Sequence, residues 1–199
     1  MLHDAMRGTV AILIAAGATL PVLADTALVA REPFAKAHVT MMARAQSGEG
    51  AARMADVDVF AEGTRLHARL RGDAKAGELW VDGLASPVLR LLDGKIAEPK
   101  RRTLEYALQL GLAASPSLAN ANTDRIAGHP CKIISEELPG GISLTRCIWR
   151  GLPLSVELHQ GSFSFNAAAT MVEEGAVSVA DLQPPPGAPA APASLSAGR

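Results

Sequence analysis

Two cysteines, Cys131 and Cys147, are the entire thiol content of this chain, and the stretch that holds them constrains the fold more than any other. Residues 126–158 read Ile-Ala-Gly-His-Pro-Cys-Lys-Ile-Ile-Ser, then a turn at Leu138-Pro139-Gly140-Gly141, then Thr-Arg-Cys-Ile-Trp-Arg-Gly-Leu-Pro-Leu-Ser-Val-Glu-Leu. Proline presets φ for a turn, and either glycine admits positive φ. Each cysteine lies eight residues from Pro139, so a hairpin centred there sets the two opposite each other and faces Ile133 with Thr145. A disulfide across so short a loop contributes about 3 kcal/mol on the chain-entropy model.

The cysteine pair is read together with the N-terminus. Residues 1–7 are polar with one Arg, residues 9–20 are apolar and uncharged, and Val22-Leu23-Ala24 ends in small residues. That pattern is a secretory signal, with cleavage expected after Ala24 and a periplasmic destination. The apolar run is short for a membrane anchor, so no stable membrane insertion is expected after cleavage. An even pair of cysteines in an exported chain is expected to be bridged.

From His38 onward the hydrophobic period is two. Val39, Met41 and Ala43 alternate with polar neighbours, as do Ala55, Val57 and Val59, then Leu66, Ala68 and Leu70, then Leu79 and Val81, with glycine turns between them. Such alternation describes antiparallel strands with one buried face. Val88 to Leu92 is a shorter strand. Residues 101–115 differ: Leu104, Leu108 and Leu112 recur every four residues, the stripe of an amphipathic helix of about three turns. Lys100, Arg101 and Arg102 stand at its N-terminus, the unfavourable end for cations. After the cysteine hairpin come Leu152, Leu154, Val156 and Leu158 in alternation, then Phe163 and Phe165, and finally Met171-Val172 and Val177 to Val179 as a last strand and its neighbour. The expected organisation is a signal peptide at 1–24, one domain at 25–183 and a disordered Pro/Ala-rich tail at 184–199.

Chemistry-bearing motifs are few. No phosphate loop, nucleotide fingerprint, His-Glu-x-x-His or Gly-x-Ser-x-Gly is present, so no enzyme activity and no cofactor are expected. His129-Pro130-Cys131 has no second ligand cluster to complete a metal site. His38, His67 and His159 read as surface residues on separate strands, and Asp56 and Asp58 as a solvated face. The basic side of Arg65, His67, Arg69 and Arg71 is expected to pair with the acidic side of the preceding strand. A net charge of −1 and 4% aromatic residues argue against nucleic acid as a partner.

The motifs Ile126-Ala127-Gly128-His129-Pro130-Cys131, Cys147-Ile148-Trp149 and Gly151-Leu152-Pro153-Leu154-Ser155-Val156, with Ala180-Asp181-Leu182 before Pro-Pro-Gly, resemble the periplasmic lipoprotein-carrier superfamily of LolA/LolB-like proteins. The resemblance implies a mainly β fold with minor α: a curved, unclosed antiparallel sheet, a half-barrel, wrapped around one or two helices, here with one disulfide. It also implies a binding protein that holds lipid or lipoprotein acyl chains in the concave face without chemistry. The implied lining is Val39, Met41, Val57, Val59, Leu66, Leu70, Leu79, Val81, Val156, Leu158, Phe163 and Phe165, with Leu104, Leu108 and Leu112 as a lid. Met42, Met54 and Met171 join Met41 as adaptable side chains for a pliable apolar site. The alternative is that the same residues form a filled core, and that the protein is an interaction module for a partner in the cell envelope.

Overall fold

In the computed structural model, residues 32–72, 77–81, 88–91, 96–97, 99–113 and 122–183 are described. The expected signal and tail lie outside them. Eleven strands appear: β1 (Phe34–Ser47), β2 (Arg53–Gly63), β3 (Arg65–Gly72), β4 (Gly77–Val81), β5 (Val88–Leu91), β6 (Ile96–Ala97), β7 (Thr123–Ile126), β8 (His129–Leu138), β9 (Ile142–Trp149), β10 (Leu152–Gln160) and β11 (Phe163–Glu174). One helix, α1 (Leu104–Gly111), stands between β6 and β7. The strands form one antiparallel sheet in the order β6-β5-β4-β3-β2-β1-β11-β10-β9-β8-β7. Each half of the chain is a meander of neighbours, and the two halves join through β1 and β11.

The sheet is unclosed, ending at β6 and β7. It is also strongly curved, and α1 shows why. The helix lies against β1, β5 and β10. β5 and β10 are six inter-strand steps apart in the order. A flat sheet would separate them by about 29 Å, while a helix is about 10 Å across. Only a sheet curled around the helix brings both to it. This is the mainly β half-barrel expected from the sequence.

The alternation seen in the sequence becomes two faces. Cross-strand partners Ala61–Leu66–Val81, Val59–Ala68–Leu79 and Val57–Leu70 form apolar rows on the face toward α1. The same rows continue through Val39 opposite Val59 and Met41 opposite Val57 in β1, and through Leu158 opposite Phe165 on the other arm. The outer face carries the charges. There Asp58 is opposite Arg69 and Asp56 is opposite Arg71, and Arg71 pairs with the Asp58 carboxylate. The acidic and basic strand sides therefore meet, as their patterns suggested.

Several sequence expectations need correction. β1 begins at Phe34, four residues before the clean alternation, because Pro33 lies just outside it and Ala35 N–H donates to Arg150 O (2.8 Å). β6 and β7 are too short to show a period. The helix has eight residues, about two turns rather than about three. Thr103 caps it: its Oγ1 accepts from Tyr106 N–H (3.3 Å), so the basic triplet lies in the preceding turn. Val177 to Val179 is not a strand. β11 runs unbroken to Glu174, Gly175 turns the chain at φ 76°, and a short 3-10 turn follows at Ala180–Leu182. Met42, Met54 and Met171 are exposed on the outer face, whereas Met41 is fully buried.

The disulfide Cys131–Cys147 is present, but the register beneath it differs from expectation. The last ladder pair is Leu138 with Ile142, leaving Pro139, Gly140 and Gly141 as the loop. Both glycines take positive φ, 90° and 68°, so the hairpin centres on Gly140 rather than Pro139. Cys147 therefore faces Ile133, and Ser135 rather than Ile133 faces Thr145. Cys131 sits one step beyond the Lys132–Ile148 pair, and the bridge crosses the ladder diagonally with Cα atoms 5.3 Å apart. The double substitution Cys131→Ala/Cys147→Ala is expected to lower stability by about 3 kcal/mol in urea unfolding, given the short loop. Native protein is expected to give no thiol labelling before reduction.

Candidate functional site: the concave face

α1 places a short apolar stripe on the hollow of the sheet. Leu104, Ala107, Leu108 and Gly111 are buried, and Leu112 at the C-cap is also fully buried. These residues follow the 3.6 period, so one face of two helical turns meets the sheet. Gly111 makes the closest approach. A Cβ built there would lie 2.5 Å from Val156 Cγ1, so glycine lets the helix backbone rest directly on β10.

The structure brings the sequence-derived lining together in one cluster. Val39, Met41, Val57, Val59, Leu66, Leu70, Leu79, Val81, Val156, Leu158, Phe163 and Phe165 all join it, with Leu104, Leu108 and Leu112 above them. None exceeds 2% exposure, so with α1 in this position the hollow is sealed at these side chains. A cavity of about 120 Å³ lies at its mouth, between the turn after β1 and the start of α1. Leu104 and Phe163 belong to its wall, and Arg53, Arg102 and Thr103 to its rim. It has room for about four waters. A larger depression, about 340 Å³, lies beside Arg44, Glu157, His159 and Asn166, and Phe165 of the apolar lining also borders it.

Polar groups tie the helix down at both ends. Glu105 is buried and pairs with Arg53 at 3.3 Å. At the other end Arg146, only 3% exposed, donates from Nη1 to Ala113 O (2.8 Å) and pairs through Nη2 with Glu136. Its Nε has no hydrogen-bond partner among the described residues. Sequence reasoning missed this residue. The signal was present: Ile142, Leu144, Arg146 and Ile148 share one strand parity, so an arginine stands in an apolar register. Val156 faces Arg146 across the ladder, which places the cation on the α1 side.

Among the described residues, no group of three or more His, Cys, Asp or Glu side chains could hold a metal ion. No described helix is long and apolar enough to cross a membrane. His67 is not the surface residue its strand parity suggested: it is 3% exposed, covered by the segment after β11.

No family model matches the chain, and no curated protein matches it. Among solved structures it is similar to MucB, as seen in the crystal structure of MucB in complex with MucA(peri), with 20% sequence identity and a TM-score of 0.33. The similarity covers 74% of this chain and 54% of that one, so the chain spans about half the length of the protein it matches.

Two outcomes follow from the helix contacts. Gly111→Ala is expected to cost about 1–3 kcal/mol, the range for overpacking. Adding Val156→Ala is expected to recover part of it, measurable as a coupling energy in a double-mutant cycle. Glu136→Gln is expected to destabilise more than Arg146→Met, because it leaves the buried cation without its counter-charge; urea denaturation of both variants orders the two effects.

Proposed function

We infer that the protein is a non-enzymatic carrier-like binding module of the periplasm, and that its ligand is a lipid or lipoprotein acyl chain held between α1 and the concave face. The observation that supports this reading is the slightness of the cover. Among the described residues, one helix of eight residues closes a hollow lined by strands from both arms of the sheet. A helix so short has little stability of its own in water. It stays helical because its apolar stripe is buried against the sheet. An acyl chain offers the sheet the same apolar contact at about 25 cal/mol per Å², so chain and helix can compete for the same surface. The small mouth cavity, with an apolar wall and an arginine rim, is where such a chain would enter. Binding by apolar burial also needs no catalytic group.

A second reading rests on the sealed lining: a filled core with no small ligand, and an envelope protein as the partner. The two differ in whether α1 must leave the sheet. The Cβ built at Gly111 lies 3.2 Å from Val156 Cβ, a few tenths of an ångström short of the roughly 3.5–4.5 Å a disulfide spans, so a slight shift of the helix accommodates the bond. The oxidised Gly111→Cys/Val156→Cys variant therefore pins the helix down. Protein purified without detergent is expected to carry lipid by native mass spectrometry and to take up a fluorescent fatty acid. The pinned variant is expected to lose uptake while keeping its far-UV spectrum. Uptake that survives the pin would place the ligand elsewhere. A lipid-free wild type that takes up no fatty acid would leave the filled-core reading.

A further inference from the structure

The outer face holds a row of rings that the concave-face reading does not use. His38, Phe60, His67 and Trp80 are successive register partners across β1, β2, β3 and β4. His38 stacks on Phe60 with centroids 4.5 Å apart, and His67 stacks on Trp80 at 4.1 Å. Along β2 and β3 this face carries the charged pairs Asp58–Arg69 and Asp56–Arg71, yet His67 is buried. Its cover is the segment that follows β11. Its turn at Ala180–Leu182 lies over β2 and β3, and Val177 and Leu182 are buried. Ser178 shapes the segment by donating from its backbone N–H (3.0 Å) and Oγ (2.7 Å) to the Asp181 carboxylate. His67 Nδ1 then donates to Asp181 O at 2.8 Å.

We propose that residues 177–183 form an acid-released latch, with His67 as the group that reads pH, and that release exposes the His67 ring. The geometry sets the neutral ring's tautomer: Nδ1 carries the proton given to Asp181 O, and Nε2 is a bare acceptor. That Nε2 is buried and has no hydrogen-bond partner among the described residues, as is also true of Trp80 Nε1. A second proton on the ring would have to be held there without water.

The charges facing the ring are Glu78 from β4, Arg69 from β3 itself and Asp181 from the latch; β2 presents the uncharged Phe60. Glu78 Oε1 is 3.6 Å from Nε2 and favours protonation, while Arg69 opposes it. Burial is the largest influence: with Arg69 it outweighs the raising effects of the Asp181 carbonyl and of Glu78, and holds the His67 pKa below its ordinary 6.5. Asp181 stays ionised throughout this range, because its bonds from Ser178 lower its pKa further. Asp58 and Glu173 face His38, not His67.

The sign follows by linkage. Above about pH 6.5 the ring is neutral whether or not the latch is down, and pH does not affect docking. Below that, the open form takes up a proton that the docked form refuses, so docking weakens by up to about tenfold per pH unit. The contribution is present at high pH and lost on acidification.

The test uses the mature full-length chain carrying Trp149→Phe, which leaves Trp80 as its sole tryptophan. Acrylamide quenching of Trp80 is expected to rise several-fold from pH 7.5 to 5.0, to do the same in His38→Gln, and to be independent of pH in His67→Gln. A flat parent profile, or a pH response retained in His67→Gln, overturns the proposal. NMR titration of the His67 ring gives an independent reading that does not need the His67 variant to fold. The ring is expected to titrate at lower pH in the parent than in Leu182→Ser, which lifts the latch at every pH. Equal titration in the two proteins overturns it.

Discussion

The contact between Gly111 and Val156 fixes how closely α1 lies on the sheet, and the rest of the interior depends on that distance. An antiparallel sheet can leave one face in water only if the other is covered. Here the strands of both arms present apolar rows, and one two-turn helix reaches both because the sheet curls around it. A side chain at Gly111 would hold the helix off and open a gap along the whole stripe from Leu104 to Leu112. The small residue is therefore what allows so short a helix to cover so broad a face.

The two faces of the sheet solve different problems. The inner face excludes water and admits few polar groups: Glu105 and Arg146 are tied to α1 or its ends, and Gln160 donates to Gly140 O in the hairpin loop. Arg146 is the costly one: a buried cation is tolerable only because Glu136 and the carbonyl of Ala113 meet it. The outer face is charged along β2 and β3, where Asp58 pairs with Arg71. It departs from that pattern where the segment after β11 lies over β2 and β3 and meets His67 through Asp181 O. A strand position on a wet face becomes dry when a later segment lies over it.

That explains which parts of the structure were legible in the sequence. The long strands were, because burial of one face imposes period two on their residues, as in Val39-Met41-Ala43 and Leu66-Ala68-Leu70. The bridge was, because two cysteines have one pairing. Its register was not, since a Pro-Gly-Gly loop allows more than one centre and the choice of Gly140 depends on two positive φ values. Helix length was overread because the stripe does not mark its own ends: Thr103 as the cap sets the start after the basic triplet, and Leu112, still fully buried, is already the C-cap. The lining residues were readable as apolar positions. Arg146 and His67 were not, because each owes its burial to segments distant in sequence, Ala113 for one and Asp181 for the other.

The central pairing of the sheet joins the two ends of the domain. Thr170 donates to Thr40 O across 130 residues, and β11 fills the side of β1 that β2 leaves open. A chain made from its N-terminus completes β1 to β6 long before β11 exists. In that interval β1, fourteen residues long and apolar at alternate positions, offers an unpaired edge of the kind that recruits strands from other chains. The last strand to be made is the one that removes the hazard. A chain cut short before Phe163 is thus not a smaller domain but an open half-sheet, exposed at the edge that the whole protein hides in its middle.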